Sequence, residues 1–186
     1  MTRRSIIMIG AGVAIVALVA VLVVTRPWLA FIDVRVDETL PSASTSAPAS
    51  TSAPVESNET GTPATAMPPK AVQLLSGEFI SHEHETSGSV RIVENPDGSR
   101  VLAIENLAKT NGPDVHVWLS TSDVVEGFDG WFTAGGADFV DLGPIKGNLG
   151  NQLYELPADI DLSHYPSVAL WCVQFGVSFG AAQLFS

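Results

Sequence analysis

The sequence predicts an all-β domain, an antiparallel β-sandwich, carried on a single N-terminal transmembrane helix through a Ser/Thr/Pro-rich stalk. Three observations predict it. From Gly77 onward, short apolar runs alternate with turn residues. After residue 70 no segment shows the apolar period of a helix. Ahead of both lies an uncharged apolar run of 19 residues, Ile6 to Val24, which as a helix spans about 28 Å, enough for a hydrocarbon core.

The chain divides into residues 1–27, a cytoplasmic tip and membrane anchor; 28–74, a disordered stalk; and 75–186, the sandwich. The apolar run is longer than a secretory core of about 7–15 residues. Thr25-Arg26-Pro27-Trp28 after it is a poor cleavage site, so an uncleaved anchor is expected, with Trp28 and Phe31 at the far interface. Arg3 and Arg4 precede the run, and Arg26 and Arg35 follow it. The clustered pair and the free amino terminus favour an inside N-terminus.

Residues 41–69 are mostly Ser, Thr, Ala and Pro, too polar to offset their ordering entropy. Such composition resembles surface stalks, often O-glycosylated, and Asn58-Glu59-Thr60 is a glycosylation sequon. About 30 residues of such coil reach on the order of 30 Å. A spacer directly after a membrane span places the protein at the plasma membrane with its C-terminal domain outside the cytoplasm.

Within the domain, Glu78 to Ser81 and Ser87 to Val93 read as strands. Asn95-Pro96-Asp97-Gly98 is a turn signal, and Arg100 to Glu105 returns from it. Val115, Val117 and Leu119 alternate with His116, Trp118 and Ser120 in the next strand. Residues 121–137 read as a long loop pinned by Phe128, Trp131 and Phe132. Phe139 to Leu142 and Gln152 to Leu156 are short strands around glycine-rich turns. Ser167 to Phe175, between Pro166 and Gly176, reads as one strand buried on both faces, and Val177 to Phe185 closes the chain.

The net charge is −11, and fifteen Asp/Glu against four Lys/Arg from Ser76 onward carry all of it. An acidic domain repels phosphate backbones, which argues against a nucleic-acid partner. No G-x-S-x-G, C-x-x-C, H-E-x-x-H or Walker-type loop is present. No nucleophile–base pair stands at a recognisable spacing, so nothing points to a hydrolase.

Cys172 is the one cysteine, so no intrachain disulfide can form. On its strand Val168, Leu170, Cys172 and Gln174 share one face, and Ala169, Trp171, Val173 and Phe175 the other. A lone cysteine there is commonly a small apolar filler; the competing reading is a reactive thiol. A buried Gln174 amide needs partners, so its position marks a polar region or pocket. Cys172 is expected to face it across from His116 or Gln152, with Trp171 packed the other way. His82 and His84, two apart, can share a metal if the chain stays extended there; a solvated strand end is the alternative.

Several stretches together carry a resemblance. They are Ser87-Gly88-Ser89-Val90, the Gly112-Pro113-Asp114 turn with Val115 to Ser120, Leu142 to Asn148, Gly150 to Pro157, Val168 to Phe175, and Phe179-Gly180-Ala181-Ala182. In this order and spacing they resemble the DM-thirteen domain, also labelled electron-transfer DM-thirteen, over roughly residues 75–185. The resemblance implies an extracytoplasmic β-sandwich that acts in redox chemistry through one cysteine. Here that cysteine is Cys172, as a bare thiol or holding a prosthetic group such as haem; copper also suits a thiolate with nearby imidazole. No DOMON or cytochrome segment accompanies it, so the electron partner is expected to be a separate protein. The alternative function is a surface adhesion or ligand-binding module, with the 121–137 loop as contact surface and Cys172 as filler.

Overall fold

The computed structural model describes residues 15–23, 32–42 and 70–186. Among the described residues the regular structure is mainly β. Nine strands form it: β1 (Arg35–Asp37), β2 (Val72–Ser81), β3 (Thr86–Glu94), β4 (Arg100–Lys109), β5 (Val115–Ser120), β6 (Phe139–Pro144), β7 (Leu149–Glu155), β8 (Ser167–Cys172) and β9 (Val177–Gln183). They make one curled sheet in the order β1-β7-β4-β3-β2-β9-β8-β5-β6. Every neighbouring pair is antiparallel except β1 with β7, which is parallel.

The curl comes from β2. Its first part pairs with β3, and its last three residues, Phe79 to Ser81, pair with β9. Two halves of the sheet thereby share one core. Val90, Ile92, Leu102 and Ile104 from β3 and β4 meet Val117, Leu119, Val168, Leu170 and Cys172 from β5 and β8. Burying such a set contributes roughly 1.5–3 kcal/mol per large side chain, the main term holding the fold. The Asn95-Pro96-Asp97-Gly98 stretch turns between β3 and β4. Asp97 Oδ1 accepts the Ser99 amide at 2.9 Å, and Gly98 sits at φ 83°.

Residues 15–23 are helical with exposed apolar side chains. Among the described residues no helix is long and apolar enough to cross a membrane. The rest of the expected span, and residues 28–31 and 43–69 of the expected stalk, lie outside the described residues.

Two elements differ from the sequence reading. The strand expected to run to Phe175 stops at Cys172. There the Val173 amide bonds the Asp114 carbonyl at 2.9 Å, and the Gly176 amide returns to the Cys172 carbonyl at 2.8 Å, with Gly176 at φ 65°. Val173 to Gly176 is therefore a hairpin turn, and its apolar residues are exposed. The second difference is β1, which lies within the stretch read as stalk. Residues 33–38 dock along β7. Asn148 is the clamp: its Oδ1 accepts the Val34 amide at 2.7 Å, and its Nδ2 donates to Asp33 Oδ1 and to the Lys109 carbonyl, both at 2.9 Å. Glu38 adds an ion pair to Lys146 at 2.8 Å and accepts the Leu153 amide at 2.7 Å. The Lys146 hydrogen bond holds the Glu38 carboxyl below its ordinary range.

Asn148 is 1% exposed, so Asn148→Ala leaves the Lys109 carbonyl and Val34 amide without their partner. The expected loss is about 2–3 kcal/mol of stability, read as a lowered denaturation midpoint. Amide exchange should accelerate first at residues 33–38.

Candidate functional site

At one end of the curled sheet several chain segments converge. They are the 82–85 bend after β2, the 110–114 turn before β5, the 173–176 turn between β8 and β9, and the Phe128–Trp131 stretch. Together they enclose a mainly apolar pocket of about 350 Å³. Its walls are aromatic, with Phe128, Trp131, Phe132, Phe175 and Phe179, and His84 and Pro113 complete the lining.

The Gly112-Pro113-Asp114 turn has a physical role at each position. A Cβ on Gly112 would come within 2.5 Å of the Phe179 ring, so only glycine lets the turn close onto that ring. The Pro113 carbonyl accepts the Cys172 Sγ hydrogen bond at 3.2 Å. Asp114 takes the left-handed conformation at φ 52°, which Asp tolerates better than most residues, and its carbonyl accepts the Val173 amide just past β8. Phe179 is aimed into the pocket by a bulge: Leu170 pairs Gly180 and Trp171 pairs Ser178, leaving Phe179 as the extra residue on β9.

Cys172 is fully buried and free. It closes the inner side of the Pro113 wall. Burial pushes its thiol above the ordinary value. The amides of Phe175 and Gln174 pull the other way, the Asp114 carboxylate adds to the rise, and the Lys109 charge opposes it. The thiol is thus protonated at neutral pH.

Lys109 was not visible as a candidate in the sequence. It is 5% exposed and has no carboxylate partner among the ion pairs of the described residues. Its Nζ donates to the Thr110 carbonyl at 2.9 Å and stands 4.9 Å from the centre of the Phe179 ring. Burial brings its pKa down to about 8, and the Cys172 charge opposes that fall. The one available signal was a lysine closing an apolar strand, Leu107-Ala108-Lys109, in a domain poor in cations.

The other sequence candidates are dispersed. His116 stands opposite Trp171, not Cys172, whose partner is Val115. Its ring lies between Asp141, at 2.8 Å from Nδ1, and Asp114, at 3.4 Å from Nε2. Gln174 is in the exposed turn and contributes its backbone amide rather than a buried side chain. Gln152 is fully buried, but its amide is spent on the β6–β7 turn: Oε1 accepts from Lys146 N and Tyr154 Oη, and Nε2 donates to the Gly147 carbonyl. Burial raises the Tyr154 phenol beside it.

The chain does not stay extended past Ser81, so His82 and His84 part company. His82 is buried, with Nδ1 at 2.9 Å from Ser178 Oγ and Nε2 donating to the Val125 carbonyl at 3.1 Å. Burial lowers its pKa, consistent with a neutral ring tying the 121–137 loop to β9. His84 pairs with Glu83 at 2.8 Å and meets the Phe179 ring edge-on. Among the described residues no group of three or more His, Cys, Asp or Glu is placed to hold a metal.

The long loop is pinned in part as expected, by Trp131, which packs against the core. Besides His82, it is held by Val124 and Ala134, which pack with Trp118, Ala169, Trp171 and Ala181 on the outer face of the sheet. A Cβ on Gly135 would meet the Trp171 ring at 2.4 Å. Phe128 and Phe132 are largely exposed instead. In the outer cluster Trp118 stacks on Trp171 at 5.1 Å and on the half-exposed Phe139 at 3.7 Å.

A buried ammonium without a counter-ion is costly. Lys109 has its folded pKa below the unfolded value of 10.5. The unfolded state therefore binds more protons between about pH 8 and 10.5, and the whole penalty stands below pH 8. Lys109→Met is expected to stabilise the protein at pH 7 by about 2–3 kcal/mol. The gain over the parent should shrink as pH rises from 8 to 10.5, read by thermal melts across that range.

No curated protein and no solved structure matches the chain. The family described as Electron transfer DM13 matches residues 78–184, from the middle of β2 to just past β9. The match takes in the Gly112-Pro113-Asp114 turn, Lys109, Cys172 and the pocket. It spans more than half of the sequence, and the chain belongs to the Electron transfer DM13 family.

Proposed function

We propose that the chain is a membrane-anchored electron-transfer domain, an antiparallel β-sandwich held at the plasma membrane by Ile6 to Val24 and displayed outside the cytoplasm. Cys172 is its redox group, acting as a bare thiol, and its electron partner is a separate protein. The observation that carries this reading is what surrounds the end of β8. A sealed thiol feels the charge of Lys109, while the adjacent Trp171 stacks on Trp118.

A haem or copper centre needs thiolate and imidazole converging on one point. The Cys172 sulfur has no exposed surface, His82 is spent at both ring nitrogens, His84 is tied to Glu83, and His116 is set opposite Trp171. These residues do not fit such a centre.

A sealed thiol is closed to bulky reagents but not to electrons, which cross short gaps between stacked rings. When Trp171 is oxidised by loss of one electron to an acceptor protein, Cys172 can refill it. The thiol then loses one electron to Trp171 and its proton to a base, leaving a sulfur-centred radical. In the resting state the thiol donates to the Pro113 carbonyl; Lys109, with a pKa of about 8, holds part of its amine neutral at physiological pH and is the proposed destination of the proton. A contact module is the second reading, favoured by the exposure of Phe128 and Phe132.

Flash photolysis with a ruthenium sensitiser and a sacrificial acceptor tests the scheme, in a chain whose Trp28 and Trp131 are replaced by Phe. The tryptophan radical is expected to decay several-fold faster with Cys172 than with Cys172→Ser, and Lys109→Met is expected to slow it. Equal decay with and without the thiol would remove Cys172 from the electron path.

A further inference from the structure

Of the exposed aromatic residues among those described, Phe139 and Phe185 stand outside the pocket lining, and the other three are gathered at its mouth. Phe128, Phe132 and Phe175 are 66%, 46% and 62% exposed, and all three line the same pocket mouth. Val173 and Ile32 are also exposed. A cluster of this kind on a soluble surface marks a contact. The opposite end, at the 95–99 and 157–161 turns, presents Asp97, Asp159 and Asp161 to solvent instead.

The path of the chain says what the contact is. Ile32 is fixed to the pocket end, because Asn111, which lines the pocket, donates to its carbonyl at 3.0 Å. From there residues 33–38 run along β7, away from the pocket and toward the other end of the sheet. β2 starts at that far end, since Val72 pairs with Glu94 beside the 95–99 turn. The Ser/Thr/Pro-rich segment therefore joins two points at the far end, and it does not stand between the apolar run and the domain. Between Val24 and Ile32 there are only eight residue steps, at most about 29 Å of chain.

We infer that Phe128, Phe132 and Phe175 rest on the zwitterionic lipid surface of the membrane that holds Ile6 to Val24. This rests on the anchoring reading above. The short connection keeps the pocket end at the bilayer, and aromatic side chains settle at its interface. Charge selects the lipid. The domain is strongly acidic, and Asp129 and Glu83 stand beside the patch, so anionic headgroups repel it and apolar insertion into a neutral surface supplies the attraction. The pocket then opens toward the lipid rather than toward bulk water.

Trp131 reports on this directly, with its ring 5.2 Å from that of Phe128. The full chain carrying Trp28→Phe is reconstituted in phosphatidylcholine vesicles, plain or brominated at a shallow acyl position. The Trp131 contribution is taken by difference from the Trp28→Phe/Trp131→Phe chain. Bromination is expected to quench it about twofold, as for a side chain at the headgroup–acyl boundary. Replacing Phe128, Phe132 and Phe175 by Ser should abolish the quenching while the chain still floats with the vesicles. A chain that floats with vesicles yet shows equal Trp131 emission in both lipids overturns the inference and leaves the anchor standing. A chain released from vesicles by alkaline carbonate overturns the anchor, and the inference with it.

Discussion

The register of β5 against β8, with Val115 opposite Cys172 and His116 opposite Trp171, sets what the rest of the site can do. Because side chains alternate along a strand, it sends the thiol into the core and the indole to the outer face. Both faces are then closed by different means. The inner face is packed with aliphatic residues of both halves of the sheet. The outer face is covered by the 121–137 loop, held by His82 and by Gly135 lying flat on the Trp171 ring. A slip of one residue would exchange the two side chains. It would put a large indole where the Pro113 carbonyl now receives a thiol.

The same end of the sheet concentrates the molecule's electrostatic cost. Lys109 is a buried cation beside a carbonyl and a ring face, with no carboxylate paired to it among the described residues. Cys172 is a thiol held protonated by burial. Each group makes the other's charged form less unfavourable, which couples a proton on one to the charge on the other. Burial that is wasteful for stability is a familiar mark of a functional site. Under the proposed function, the electron leaves the same pair that carries this proton.

Much of the sheet was legible, because alternating apolar runs between glycine and proline turns have few other solutions. The face assignment of Val168, Leu170 and Cys172 against Ala169 and Trp171 follows from alternation alone and is the one seen. What misled was Val173 to Phe175, apolar residues that prolong a strand pattern but lie exposed in a turn. The strand ends where the Gly176 amide closes that turn on the Cys172 carbonyl, a bond the apolar pattern does not show. β1 was invisible for a related reason: three residues in polar sequence become a strand only by pairing with β7, more than a hundred positions away. The role of Gly112-Pro113-Asp114 was half legible. Its composition announces a turn, but the use of the Pro113 carbonyl depends on where Cys172 comes to lie.

The proposed electron path needs a thiol that electrons can reach and reagents cannot. The most direct test is the rate at which Ellman's reagent labels Cys172 in the native chain, followed through increasing denaturant. A sealed thiol is labelled only through opening of the core, so the rate should be negligible in buffer and should rise with the unfolded population. Rapid stoichiometric labelling without denaturant would mean that the sulfur is open to solvent, and would contradict the account.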